Sequence, residues 1–159
     1  MKRKTAGVLT ALAALIGAGL LVSAAGPSAT EPDFKAMQEQ VDRAWCSLDA
    51  KNAAAFYDQD PGDIFFDLAP MKYEGWGQYQ AGAQKLFLNG AKSVKFTPKG
   101  DDRVTRRGDV AWMTRTLRIF AEMKEGKPLD IDCRDTVLWV KRGGKWLIAH
   151  EHVSVPLPG

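Results

Sequence analysis

The sequence predicts an α+β fold: helices come first, and a strongly curved antiparallel sheet follows. Two patterns carry this prediction. Before Asn89-Gly90 the apolar residues recur at three- and four-residue steps, the period of one helix face. After it they alternate, the period of a strand. Three of the later runs exceed ten residues, and strands that long must bend around whatever they cover. Short turns join them, so consecutive strands must be antiparallel. Helices on one face of such a sheet form a cone with a pocket at its open end.

The first 25 residues stand apart. Lys2, Arg3 and Lys4 form a basic start, the run from Thr5 to Val22 carries no charge, and Val22-Ser23-Ala24-Ala25 offers small residues for cleavage. That is the layout of a secretory signal peptide over residues 1–25, followed by a linker over 26–32 and one domain over 33–159. It places the mature protein in the periplasm or outside the cell, with no stable membrane insertion after cleavage. The alternative is an uncleaved anchor, since about 20 apolar residues can span a bilayer. Gly17, Gly19 and the alanine-rich run weaken it.

Three of the 22 basic residues lie in that start, so the rest of the chain balances 19 basic against 19 acidic residues. A neutral domain has no electrostatic footprint for nucleic acid. Arg106-Arg107 and Lys141-Arg142 sit beside glycines and read as solvated turn charges. Beyond residue 25, Cys46 and Cys133 are the two cysteines, and in an exported chain they predict a single disulfide. The alternative is two separate buried thiols.

In chain order, Phe34, Met37, Val41, Ala44/Trp45 and Leu48 mark a helix of four turns, with Asp33 or Thr30 as its cap. Asn52 can cap a short second helix through Tyr57, stopped by Asp60-Pro61-Gly62. Ile64 to Asp67 reads as a strand, Pro70 to Gly75 as a loop, and Trp76 to Phe87 as a third helix. Strands are expected at Ser93–Thr97, Arg103–Arg107, Val110–Ala121, Leu129–Lys141 and Lys145–Val155, separated by glycine-bearing turns.

Four segments together resemble one family: Phe65-Phe66-Asp67-Leu68-Ala69-Pro70, Tyr73-Glu74-Gly75-Trp76, Arg134-Asp135-Thr136, and Gly144-Lys145-Trp146 through Val155-Pro156. The chain is similar to the SnoaL-like branch of the nuclear transport factor 2-like superfamily, and its closing segment also resembles the association domain of calmodulin-dependent protein kinase II. The resemblance implies a cone-shaped cystatin-like roll that frequently dimerises through its sheet. Its pocket would be catalytic in some members and structural in others. The expected partners are a small-molecule ligand and a second copy of the chain. No cofactor is implied, and fold alone leaves the chemistry open.

The candidate site residues follow from residue type and position. Asp67 ends a strongly apolar stretch, where burial would raise its pKa and suit it to act as a base. Tyr57, Tyr73 and Tyr79 are possible phenolic donors. The plainer reading of Asp67 is a pin for the following loop. His150 and His152 lie two apart on the last strand, so both rings point to one side, as catalytic groups, ligand contacts or structural hydrogen-bonders. A metal site there would need Asp67 or Asp135 as third ligand, no zinc motif accompanies it, and none is expected. Between the histidines, Glu151 is expected to point the other way, among aliphatics. Arg134 could clamp a ligand carboxylate or pair with Glu151 or Asp132. Parity puts Cys133, Asp135, Val137 and Trp139 on one face and Arg134 on the other. Trp76, Tyr79 and Trp139 complete the candidate ligand contacts, against a plain core role. The functional expectation is therefore a pocket that binds, and isomerises, dehydrates or hydrolyses, a small apolar or weakly acidic molecule. The alternative is a non-catalytic association module using the outer sheet.

Overall fold

Asp33 starts the first helix by local chemistry: its carboxylate accepts a hydrogen bond from the Ala36 N–H at 3.0 Å, satisfying a donor that the helix leaves open. The structure is a computed structural model and describes residues 31–157. The expected signal peptide and most of the linker lie outside the described residues. No helix among the described residues is long and apolar enough to cross a membrane.

Helix α1 (Phe34–Cys46) buries Phe34, Val41, Ala44 and Trp45, as its spacing predicts, and also two polar side chains, Gln38 and Asp42, one turn apart on the same face. A 3-10 helix follows at Ala50–Phe56. Asp49 caps it, accepting from the Lys51 N–H at 3.0 Å, while Asn52 instead reaches back to Ser47 Oγ at 2.9 Å. Strand β1 (Ile64–Phe66) pairs antiparallel with β2 (Tyr73–Glu74), a two-residue strand inside what the sequence reads as a loop. Helix α2 (Gly75–Leu86) ends in a short 3-10 turn, Leu88–Gly90.

The remaining strands match the expected positions to within three residues at each end: β3 (Ala91–Pro98), β4 (Arg103–Arg107), β5 (Val110–Met123), β6 (Leu129–Arg142) and β7 (Lys145–Ser154). The order across the sheet is β2-β1-β7-β6-β5-β3, with β4 also on β5. The pairs β4–β5, β5–β6 and β6–β7 are antiparallel as predicted, but β3 and β4 both run antiparallel to β5 and therefore run the same way. Strand β1 against β7 is parallel, Ile64 opposite His150 and Phe66 opposite His152. One edge of β5 carries β4 along Val110–Thr114 and β3 along Leu117–Met123. Asp101 fills the gap, accepting from the Thr116 N–H and Oγ1–H at 2.8 Å each.

Alternation along β5 and β6 sends Met113, Arg115, Leu117 and Ile119, and Cys133, Asp135, Val137 and Trp139, to the helix-covered face. The inner face is thus the cysteine face. An aromatic cluster joins the helices to it: Tyr57 stacks on Trp76 (4.3 Å between ring centroids) and Phe65 on Tyr79 (5.0 Å). Each such ring contributes on the order of 2 kcal/mol by leaving water.

Gly82 is the position where α2 has no room for a side chain. A Cβ there would lie 2.1 Å from Tyr73 Cε1, and Tyr73 is itself fixed by donating to the Ala69 carbonyl at 2.8 Å. Gly82→Ala normally favours a helix by about 1 kcal/mol; here overpacking should reverse the sign and cost about 1–3 kcal/mol. Urea unfolding reads the difference, and a stabilised variant would show that Tyr73 can move aside.

Candidate active site

Glu151 is placed by a break in strand alternation. Trp139 of β6 faces Ile148 of β7, but its neighbour Leu138 faces His150, so Ala149 is an extra residue, a β-bulge. Without it, Ile148 inside would put Glu151 outside. With it, Ile148 and Glu151 both point inward, and His150 and His152 turn to the outer face. Tyr57 donates to Glu151 Oε2 at 2.6 Å and Tyr79 donates to the same oxygen at 3.0 Å. Trp45 Nε1–H in turn donates to the Tyr57 oxygen at 2.9 Å, orienting it.

Burial pushes Glu151 up to about 8, helped by the neighbouring Asp135 charge; the two phenols and Arg115 only partly offset it. Burial likewise raises both phenols well above their ordinary value, with the Glu151 charge adding to it, so they remain donors. The surroundings of Glu151 therefore favour its protonated, neutral form. Both phenols occupy Oε2, which leaves Oε1 to carry the proton.

Beside it lies a buried charge set. Arg115 donates to both oxygens of Asp42 at 2.7 Å each and, through Nε, to Asp135 Oδ2 at 2.8 Å. Gln38 Nε2 also reaches Asp42 Oδ1 at 3.3 Å, which explains the two polar residues on the inner face of α1. Desolvation lifts Asp135 to about 6 despite Arg115, whose charge and hydrogen bond pull it down. Of the two interacting acids, Asp135 ionises first because it touches the guanidinium, and Glu151 keeps its proton.

These groups form one end of a cavity of about 190 Å³. Its walls are apolar: Phe87, Leu88, Phe96, Leu117, Ile119 and Val153. Asp67, Leu68 and Ala69 line it on one side and Leu86 on another, and Leu68 and Leu86 are 44% and 58% exposed, which marks the rim. An apolar cavity of ~150 Å³ accommodates a benzene ring, so this one fits a single-ring molecule. Burial raises Asp67, and the Leu68 N–H, which Asp67 accepts at 2.7 Å, lowers it by less.

Of the residues expected from the sequence, Asp67 and Tyr79 line the cavity. Trp76 and Trp139 do not; both are core, Trp139 packed on Phe34 at 6.0 Å. Arg134 corrects the expected carboxylate clamp: it is exposed on the outer face, opposite Ser154 of β7, away from Glu151 and from the cavity. His150 and His152 correct the expected catalytic pair. The bulge turns them outward, where His150 Nδ1 lies 2.6 Å from the Ile64 carbonyl and Phe66 packs edge-on against both rings. The expected disulfide is absent too. Cys46 and Cys133 are free thiols, because Cys46 packs with the helix-side core and Cys133 with Leu117 and Ile119 on the sheet. Among the described residues no group of three or more His, Cys, Asp or Glu is placed to hold a metal ion. The residues that sequence reasoning missed are Glu151 as an inner group and the Asp42–Arg115–Asp135 set. The signal for the latter was a polar pair, Gln38 and Asp42, on the apolar stripe of the first helix.

The family model of the SnoaL-like domain matches residues 34–158. Among solved structures, the chain is similar to a nuclear transport factor 2-like superfamily protein from Salmonella enterica serovar Typhimurium. The TM-score is 0.73 at 15% identity, covering 79% of this chain and 89% of that one. A protein of the same superfamily from Streptomyces avermitilis, provisionally named a dehydratase, gives 0.66 at 17% identity, covering 79% and 95%. A protein from Shewanella frigidimarina, provisionally named a ketosteroid isomerase, gives 0.61 at 19% identity, covering 75% and 92%. At these identities the likeness concerns the fold. No curated protein matches the chain.

Proposed function

The chain belongs to the SnoaL-like domain family, and we propose that it is an exported acid–base protein whose cone binds and isomerises or dehydrates a small, largely apolar molecule. One observation carries the reading: a neutral carboxylic acid, Glu151, held by two phenols at the floor of an apolar cavity whose rim carries a second carboxyl, Asp67. Export rests on the signal-like residues 1–25.

Isomerisation and dehydration both require a proton to leave the ligand at one atom and another to arrive elsewhere. Two carboxyls of different pKa on one cavity supply that pair. Asp67 in its ionised form takes a proton from carbon. The Glu151 carboxyl hydrogen-bonds the oxygen on which charge develops and can pass its proton there. In an isomerisation Asp67 returns its proton to a second carbon as Glu151 takes its own back from the enol oxygen. In a dehydration the Glu151 proton leaves with the departing hydroxyl as water and is replaced from solvent as Asp67 releases its own. Among the described residues no serine, cysteine or histidine lines the cavity, so a covalent route would have to use a carboxylate or the Tyr79 phenol. A weakly acidic ligand fits less well than the sequence suggested. Arg115, the one cation lining the cavity, is already held by two carboxylates. The names of two fold neighbours agree with this chemistry without carrying it.

Exchange of deuterium into the carbon next to the carbonyl of a single-ring ketone tests the proposal. The protein should accelerate exchange, and Asp67→Asn should slow it by about 10²–10⁴-fold. Equal rates in both proteins would overturn the role of Asp67, and no binding of ring ketones by NMR would overturn the pocket.

The association reading draws on a different surface. The outer face of β5 and β6 carries the half-buried Trp112, Phe120, Leu138 and Val140, which suits a second copy of the chain. A sedimentation mass of one chain at high concentration would refute that dimer.

A further inference from the structure

The cavity's charge is not balanced. Among the described residues, the carboxylates of Asp42, Asp67 and Asp135, beside the neutral acid Glu151, line it against the single guanidinium of Arg115. Arg115 spends its contacts on Asp42 and on one oxygen of Asp135. The other oxygen, Asp135 Oδ1, accepts from no group among the described residues, although the residue is only 2% exposed and lines the cavity. A buried carboxylate oxygen without a donor costs about 1–3 kcal/mol or more, and proteins keep such atoms where something else fills the need. The aromatic side chains of Trp45, Tyr79, Phe87 and Phe96 line the same space.

Resting on the proposed ligand-binding role of this cavity, we infer that it selects molecules carrying a protonated amine on an apolar ring, with the ammonium seated on Asp135 Oδ1. The chemistry is one-sided. An ammonium donates to Asp135, and its charge offsets a site with more carboxyls than cations. A neutral hydroxyl can donate to Oδ1 but leaves the charge uncompensated. A ligand carboxylate would approach Asp135, Asp67 and Glu151 and find no unshared cation to meet it.

Benzylamine, benzyl alcohol and benzoate share one ring and differ only in the charge of the head group, so their affinities at pH 7, followed by NMR titration, separate the possibilities. Benzylamine should bind at least about tenfold more tightly than benzyl alcohol, and benzoate more weakly than either. In Asp135→Asn, checked by circular dichroism for a folded state, the preference for the amine should shrink to about twofold or less. Should that variant not fold, the Asp135 side-chain carboxyl of the intact protein, labelled with ¹³C, should shift on adding benzylamine and stay in place on adding the alcohol. Equal binding of amine and alcohol overturns the inference and leaves the pocket reading standing. An unmoved Asp135 carboxyl, or an amine preference that survives Asp135→Asn, also overturns it. If none of the three compounds binds, the pocket reading falls and takes the inference with it.

Discussion

Replacing Arg115 by methionine should destabilise the fold by about 3–5 kcal/mol, one of the two largest effects expected of a single change in this chain. The guanidinium is fully enclosed and holds Asp42 and Asp135 at 2.7–2.8 Å. Methionine fills much of the volume and removes the charge, so two buried carboxylates lose their common partner. One must then take up a proton or open the cone to water, and either lowers the stability of the folded state. Urea unfolding of the two proteins measures the cost as a shift in midpoint at unchanged slope. Replacing Asp42 and Asp135 by asparagine in the same methionine variant should recover much of the loss, because a buried charge set removed whole costs far less than one left incomplete. A methionine variant within about 1 kcal/mol of the parent would show that the set is solvated and the cavity wetter than described.

The second large effect belongs to Glu151→Gln. Glutamine keeps the shape and can still accept from Tyr57 and Tyr79, but it neither titrates nor delivers a proton. Proton transfer to a ligand should fall by about 10²–10⁴-fold. Stability should respond to pH in a defined direction. Folded Glu151 holds its proton up to about 8, against an ordinary value of 4.5. Between those values the folded chain binds more protons than the unfolded chain, so stability falls as pH rises through this window. Asp135, lifted from 3.8 to about 6, adds to the fall at the acid end. The wild-type protein should lose on the order of a few kcal/mol between pH 5 and 8. The glutamine variant should be nearly flat above about pH 7, by which Asp135 has largely ionised. Asp42, Asp67, Arg115, Tyr57 and Tyr79 face the same space in both proteins, so the difference between their curves isolates Glu151. Parallel curves would place the titration elsewhere.

What the sequence made legible was whatever depends on local period. The switch from helical to strand spacing at Asn89-Gly90, the Asp33 cap and the glycine turns lie in short stretches of chain and came out where expected. Parity along β6 correctly paired Cys133 with Asp135 and Trp139 on one face. On β7 alternation rightly set Glu151 opposite the two histidines but left open which side faces inward, and nothing in Ile148-Ala149-His150 announces the bulge that decides it. The strand β2 was missed because two residues cannot show alternation; its pairing with β1 is long-range. The disulfide expectation rested on cysteine count and export, neither of which brings two thiols together. Arg115 and Asp42 lie 73 positions apart, and only the closed cone makes them partners.

The measurement closest to the central claim is a pH titration of side-chain carboxyls by ¹³C NMR in protein labelled at glutamate, with Glu151→Gln supplying the assignment. If Glu151 is a neutral acid held by Tyr57 and Tyr79 on the cavity floor, one glutamate resonance should titrate near pH 8 and vanish in the variant. If every glutamate ionises below about pH 5, Glu151 is an ordinary carboxylate, and neither the buried proton nor the acid–base reading built on it survives.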